Sequence, residues 1–310
     1  MRILAAVLGS PIAHSKSPLL HRAAFAALNM ESSEYSRFEL GSEELGGFLD
    51  SHPEHVGFSL TMPLKDRLVA LAGVRGWTVD ETATLTAAGN TLVRGSGEVQ
   101  VANTDVRGIV RAIAPHMESV PYAAHGAGTG SAGAGRATIL GAGATAASAL
   151  VACRDLGIAH VDFRVRNPDR ARRVLDLAER IGLTSSVGDL TRIGPSAIVI
   201  STLPAEAAPN PIWETPVPGG VALYVAYAAE SAFLTAAAAH GLHPVDGTAM
   251  LVEQAVAQFE MFLAAAQADD AGTTENLPTI ENLPTGQELT SRVAAAMYAA
   301  LEGPPARARD

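Results

Sequence analysis

Ala137-Thr138-Ile139-Leu140-Gly141-Ala142-Gly143-Ala144-Thr145-Ala146 is the stretch that decides the fold. A short strand-like run, ATIL, passes directly into Gly-x-Gly-x-x-Ala and then into the helical run ATAASALVACRDLG. In that order the first glycine permits a tight turn, the second lets backbone N–H groups approach a pyrophosphate, and the helix amino terminus adds favourable partial charge. A dinucleotide is therefore the expected ligand of Gly141, Ala142, Gly143, Ala144 and Thr145.

The alternation continues downstream with the strand VDFRVR, the helix PDRARRVLDLAERIG and the strand SAIVIST, completing a βαβ series. Which dinucleotide it suits is read at the end of the second strand, where an acidic residue binds a ribose 2′-hydroxyl and arginines accommodate a 2′-phosphate. There the sequence is Val165-Arg166-Asn167-Pro168-Asp169-Arg170, and Arg166 and Arg170 favour NADP. Asp169 keeps NAD open, whereas Asp162 lies too early in the strand to reach a ribose.

Upstream, ILAAVLG, SPLLHRAAFAALN, EYSRFEL, SEELGGFLD and VGFSLT alternate in the same way, which predicts a second, mainly parallel sheet with crossover helices. Between the two series, residues 125–136 (HGAGTGSAGAGR) read as a flexible insertion. DGTAMLVEQAVAQFEMFLAAAQ has apolar residues at helical spacing and is expected to pack back on the first series. ENLPTIENLPTG is a tandem duplication that reads as an exposed linker, GQELTSRVAAAMYAALEG as a closing helix, and PPARARD as a frayed end.

A chain of 310 residues, 48% of them hydrophobic, is long enough for about two domains. No apolar stretch is expected to reach the roughly 18 residues of a membrane span, and the amino terminus lacks a signal peptide's apolar region, so the expected location is the cytoplasm. The net charge of −10 argues against nucleic acid as a partner. Cys153, the single cysteine, reads as a small buried helix residue. Of 22 basic residues only Lys16 and Lys65 are lysines. In a chain whose default cation is arginine, a lysine points to a site that needs a compact ammonium with a tunable pKa.

Both lysines follow strands. In Gly9-Ser10-Pro11-Ile12-Ala13-His14-Ser15-Lys16-Ser17-Pro18, Ser17 before proline reads as a helix cap, while the Ser15 hydroxyl beside the same terminus suits a carboxylate. Gly57-Phe58-Ser59-Leu60-Thr61-Met62-Pro63-Leu64-Lys65 puts a cation at a helix start, against the helix dipole, which suggests chemistry. Ala88-Gly89-Asn90-Thr91 and Ala102-Asn103-Thr104-Asp105 each read as the polar end of a strand, the second leading into a helix.

Taken together these motifs resemble the shikimate dehydrogenase family in order and spacing: GSPIAHSKSP, SLTMPLK, AGNT, ANTD, LGAGA and GTAMLVEQA. The resemblance implies that Ser15 and Ser17 hold a substrate carboxylate, that Thr61, Lys65, Asn90, Asp105 and Gln254 hydrogen-bond ring hydroxyls, and that Tyr227 approaches the carboxylate side. For the cofactor it implies the Gly141–Thr145 loop, Arg166, Asn167, Arg170, the Ser201-Thr202-Leu203-Pro204 loop, Val225 beside the nicotinamide, and Gly247. It implies no metal. The implied fold is α/β with two domains and a cleft between them: a substrate domain from 1–106 completed by 247–310, and a Rossmann-like NADP domain at 107–246.

The implied reaction is reversible, NADPH-dependent reduction of 3-dehydroshikimate to shikimate by a monomer or homodimer, with Lys65 and Asp105 as the acid–base pair. A quinate, shikimate or aminoshikimate dehydrogenase using NAD or NADP, and a shikimate-binding paralogue without turnover, are the alternatives. Several positions depart from the family pattern: Arg22 after His21, Ala144 for a loop glycine, Gly89 for a small apolar residue. Tyr224-Val225-Ala226-Tyr227-Ala228-Ala229 departs further, since the family has an aspartate first and asparagine-proline at the end.

Overall fold

The computed structural model describes residues 1–117, 135–204, 211–214, 217–227, 231–272 and 283–303. The expectations for 125–134, for 275–282 of the duplication and for 304–310 fall outside the described residues. The chain divides into two compact units, Met1–Thr104 with Gln254–Asp310, and Asp105–Glu253.

In the first unit, β1 (Leu4–Gly9), α1 (Ser17–Ala27), β2 (Glu34–Glu39), α2 (Leu45–Ser51), β3 (Gly57–Leu60), α3 (Lys65–Arg75), β4 (Thr78–Val79), α4 (Glu81–Thr86), β5 (Thr91–Gly95) and β6 (Glu98–Ala102) follow in order. The strands form one sheet in the order β2-β1-β3-β5-β6-β4. β1 pairs parallel with β2 and β3, and β4 parallel with β6. β5, however, runs antiparallel to both β3 and β6. The cause is the Ser96-Gly97 turn, whose φ values of 52° and 78° make the tight two-residue connection of a hairpin. AGNT therefore stands before a strand, not at the end of one.

In the second unit α5 (Asp105–Ile113) comes first and packs on α6 (Ala144–Asp155). With them are β7 (Arg136–Leu140), β8 (His160–Arg164), α7 (Arg172–Arg180), β9 (Thr184–Gly188), β10 (Arg192–Ile193), β11 (Ile198–Ser201), β12 (Ile212–Trp213), β13 (Val221–Tyr224), α8 (Ala232–Ala239) and β14 (His243–Asp246). The main sheet is parallel throughout, in the order β14-β13-β11-β7-β8-β9, and β10 pairs separately with β12. The chain winds outward from β7 in one direction and resumes at β11 in the other, the doubly wound order that leaves a crevice beyond the ends of those two strands. Cys153 is fully buried in α6, and burial pushes its thiol up to about 12, so it is an inert core residue.

The last helices are α9 (Gly247–Gly272) and α10 (Gly286–Glu302). Contrary to the sequence expectation, Gly247–Asp269 of α9 is long and apolar enough to cross a membrane by length and composition, with a mean hydropathy of 1.2. Burial of 61% of that apolar window identifies a core helix instead. Glycines let it settle on the first sheet: a Cβ on Gly57 would lie 2.2 Å from the Phe262 ring, and one on Gly95 3.1 Å from Ala265. The boundary between the two compact units falls inside α9, between Glu253 and Gln254. Its opening turns belong to the second unit, where a Cβ on Gly247 would lie 2.3 Å from the Val225 carbonyl oxygen and Glu253 pairs with Arg111 at 3.6 Å.

At the heart of the first unit the His21 ring on α1 stacks on Tyr35 (centroids 4.1 Å apart, planes 3° apart) and meets Phe262 at 5.6 Å. Neither ring nitrogen finds a well-placed partner, and burial pushes the imidazole down to about 3 against a small opposing pull from the Gln258 amide. Between its ordinary 6.5 and about 3 the unfolded chain therefore binds a proton that the native chain refuses. Stability rises with pH across that window and is lost as pH falls. His21→Phe is expected to flatten the pH dependence of unfolding between about pH 6 and 4 by about 1.4 kcal/mol per pH unit, read from denaturant melts. An unchanged slope would show that His21 titrates normally.

Candidate active site

The registers of the first sheet gather four of the motifs at one edge. Leu8 lies opposite Leu60, Ser59 opposite Thr91, and Thr91 opposite Ala102, so the segments after β1, after β3, before β5 and after β6 leave the sheet side by side. Backbone hydrogen bonds tie them together: Ser10 N–H donates to the Met62 carbonyl at 2.9 Å, Leu60 N–H to Asn90 at 2.8 Å, Asn90 N–H to Ala102 at 3.0 Å and Gly89 N–H to Lys65 at 3.0 Å. This edge carries Ser15, Ser17, Thr61, Lys65 and Asn90.

Ser17 is not the helix cap. It is the first residue of α1, and Lys16, already helical at φ −87° and ψ −7°, holds the cap position. A turn closed by Ser15 N–H to the Ile12 carbonyl carries the Ser15 hydroxyl back to the helix end, where it accepts the Ser17 N–H at 3.3 Å. Ser17 is buried, Ser15 and Lys16 partly so. Lys65 opens α3 behind Leu64, with no side-chain cap on that helix, and is partly buried. Gly89 is explained by the same packing, because a Cβ there would lie 2.6 Å from Val101 and 3.2 Å from Leu68.

Asn90 is the most heavily used of these side chains. Its Oδ1 accepts from Thr104 N–H at 2.8 Å and from the Thr91 hydroxyl at 2.9 Å, and its Nδ2 donates to the Thr104 hydroxyl at 2.9 Å and to Gln254 Oε1 at 3.4 Å. Gln254 is thus a buried residue of α9 joined to Asn90 within the first unit. Sequence reasoning passed over Thr91, Thr104 and Gln258, whose signal was faint: Gln258 is the one polar residue in AVAQF, four residues after Gln254. Asp105 is the first residue of α5 and only 4% exposed.

In the second unit, Gly141, Ala142, Gly143, Arg166, Asn167, Arg170 and Leu203 line one cavity of about 360 Å³ together with Val165 and Leu190. Gly141 has a φ of +111°, and its N–H donates to the Arg164 carbonyl at 2.9 Å. A Cβ on it would lie 2.4 Å from Thr202 Oγ1, which itself donates to the Leu140 carbonyl at 2.8 Å. Gly143 precedes α6 in extended backbone, with no side-chain cap and open space where a Cβ would be. Ala144 and Thr145 form the first turn. This is a helix terminus with room for an anion, faced by two exposed arginines.

The cavity does not include Val225, Tyr227 or Gly247. Gly247 is packed on the Tyr224 and Val225 carbonyls, and Tyr227 is 39% exposed with its phenol pushed up by burial. Asp162 is spent on structure: burial raises its carboxyl, but Ser186, Arg136 at 2.7 Å and His160 outweigh that and hold it below the usual range. After Asn167, whose Oδ1 accepts the Asp169 N–H at 2.9 Å, the expected single helix begins as a 3₁₀ turn, Pro168–Ala171.

Residues 7–92 match the family model of the shikimate dehydrogenase substrate binding domain. Over 271 residues the chain is 34% identical to the shikimate dehydrogenase (NADP(+)) of Methylibium petroleiphilum, covering 82% of this chain and 87% of that one. The chain belongs to the shikimate dehydrogenase family. Family members of known structure agree in fold. The crystal structure of Mycobacterium tuberculosis shikimate dehydrogenase is 29% identical, with a TM-score of 0.70 over 95% of this chain and 99% of that one. Shikimate 5-dehydrogenase from Thermus thermophilus, in complex with NADP(H) and shikimate, is 25% identical with a TM-score of 0.65 over 96% and 99%.

The two loop glycines separate backbone strain from ligand approach. Gly141→Ala is expected to destabilise the chain by about 1–3 kcal/mol, since it adds a side chain at positive φ against a hydrogen-bonded hydroxyl. Gly143→Ala should leave the melting temperature unchanged. Equal melting of the two variants would refute the strained turn at Gly141.

Proposed function

We propose that this chain catalyses the reversible, NADP-dependent interconversion of shikimate and 3-dehydroshikimate, the first unit holding the substrate and the second the cofactor. The observation that carries the reading is the joint presence of a locked polar edge at Ser15, Ser17, Thr61, Lys65 and Asn90 and a glycine-lined cavity faced by Arg166 and Arg170. Relatives named as NADP(+)-dependent shikimate dehydrogenases over most of this chain's length support it. The cytoplasm and a monomeric or homodimeric state belong to the same reading.

The cavity suits a phosphorylated dinucleotide, because backbone at Gly141–Gly143 leaves space at the amino terminus of α6 and the guanidinium groups offer planar pairs of donors. Bound NADP supplies the acceptor of the hydride from the alcohol carbon. Lys65 Nζ takes the hydroxyl proton in oxidation and returns one to the carbonyl oxygen in reduction, which is why a tunable ammonium is retained there. Asp105 is the companion carboxylate at that hydroxyl. Ser15 and Ser17 orient the substrate carboxylate; Thr61, Asn90 and Gln254 hold the remaining hydroxyls, and Tyr227 serves the carboxylate side. On the cofactor side, Asn167 joins the arginines, and Thr202, Leu203, Val225 and Gly247 complete the binding set.

Purified protein is assayed with shikimate or quinate and with NADP or NAD, following absorbance of the reduced cofactor. Turnover with shikimate and NADP above the other three combinations is the expected result; faster turnover of quinate with NAD would replace it. Lys65→Ala should lower turnover at least about a hundredfold, and a near-normal rate would remove Lys65 from the chemistry. The double change Arg166→Ala and Arg170→Ala should raise KM for NADP by about tenfold or more while leaving KM for NAD within about twofold. Parallel loss with both cofactors would assign the arginines to something other than the 2′-phosphate.

A further inference from the structure

We propose that Gln258 is a positioning residue for the substrate edge, the centre of a buried hydrogen-bond relay that reinforces the orientation the Thr104 N–H gives the Asn90 amide. The proposal rests on the reading above in taking Asn90 as a substrate ligand. Tyr35 O–H donates to Ser59 Oγ at 2.6 Å, and Ser59 O–H donates to Gln258 Oε1 at 2.7 Å. Gln258 Nε2 donates in turn to the Asn90 carbonyl and to Thr91 Oγ1, each at 3.0 Å, and Thr91 O–H donates to Asn90 Oδ1 at 2.9 Å. The relay thus runs from the Tyr35 phenol through Ser59, Gln258 and Thr91 to Asn90.

The direction of the relay is dictated by backbone groups. A carbonyl only accepts, so the Gln258 atom facing the Asn90 carbonyl is the NH2 group, and Oε1 is left to accept from Ser59. A backbone N–H only donates, so the Asn90 atom facing Thr104 N–H is Oδ1, and Nδ2 is turned toward Gln254. Ser59, Asn90, Thr91 and Gln258 are all buried, where a misdirected donor is costly and satisfied bonds reinforce one another. With Gln258 replaced by an apolar residue, Ser59 loses its acceptor and Thr91 its donor. The Thr91 hydroxyl then no longer has one preferred direction, and Asn90 Oδ1 loses a firm partner.

The test uses the full chain carrying Gln258→Met, which keeps side-chain length without the amide, or Thr91→Val, which cuts the link between Gln258 and the Asn90 side chain while suiting a strand. Each is expected to raise KM for shikimate about tenfold, to leave KM for NADP unchanged and to change kcat by less than about threefold. Added to Asn90→Ala, Gln258→Met should change KM for shikimate no further. Fewer folded molecules would lower the apparent kcat and the melting temperature without moving KM. An unchanged KM in both variants, or an undiminished Gln258 effect in the Asn90→Ala background, would overturn the proposal. Absence of shikimate turnover in the unsubstituted chain would instead sink the dehydrogenase reading. The relay is then read by NMR exchange of the Asn90 side-chain amide protons, expected to be faster in Gln258→Met; equal exchange rates would refute it.

Discussion

Asn90 is hydrogen-bonded to β3, to the segment after β6 and to α9, and so holds together most of the polar edge of the first unit. Its backbone bridges β3 and β6, its side chain bonds Thr104 and Gln254, and its carbonyl receives Gln258 from α9. All of this depends on β5 running backward. A parallel β5 would have left Asn90 at the opposite edge of the sheet, since reversing a strand exchanges its ends. The hairpin at Ser96-Gly97 thus does more than connect two strands: it moves an asparagine about the length of a strand to stand beside Thr61 and Thr104.

In the proposed function the two units would solve recognition with different physics. In the first, Ser17, Asn90 and Gln254 are buried and fixed by partners, as suits neutral hydroxyl groups that are recognised only by donors and acceptors in the right place. In the second, Arg166, Asn167 and Arg170 are exposed and the tight geometry is confined to backbone at Gly141 and Gly247. Charge acts over a longer range than a hydrogen bond, so phosphate recognition tolerates mobile side chains so long as the backbone leaves room. Substitution in the second unit can therefore drift in its side chains while its glycines stay constrained.

Residue type and local order made the loop at Gly141 readable from sequence, because only a glycine sits comfortably at a φ of +111° and the turn lies between a strand and a helix. Lys65 at the start of α3 was readable for the same kind of reason, a helix signal adjoining a strand. Strand direction was harder. RGSGEV carried the hairpin signal, but AGNT looks like a strand end whether the next strand runs forward or back. Hardest of all were contacts across long separations: Asn90 and Gln254 are 164 residues apart, and Ser59 and Gln258 are 199 apart. A buried polar residue within an apolar run, such as Ser59 in GFSL or Gln258 in AVAQF, signals that a partner exists without saying which one. α9 reads as a packing helix from its apolar spacing, although its length and apolarity also meet the compositional test of a membrane span, which a core helix passes as well.

The stretch that departs most from the family pattern, Tyr224-Val225-Ala226-Tyr227 with Ala228 and Ala229 beyond the described residues, tests how much of a loop its side chains determine. Tyr224 stands where the family has an aspartate, and it is only 3% exposed, packed beside Phe233 in a cluster with Leu140, Ala222 and Leu242. An ionised carboxylate buried there without partners would be costly, so the aromatic residue and its apolar surroundings go together. The backbone around it is held by other means: Val225 N–H donates to the Ser201 carbonyl at 3.0 Å, and Gly247 leaves no space for a Cβ between itself and the Tyr224 and Val225 carbonyls. Those contacts are made by main-chain atoms and are indifferent to the side chain at 224. The path of Val225 is consequently set by a glycine on α9 and a strand neighbour on β11, which is how a buried tyrosine can replace a carboxylate while the chain keeps its course.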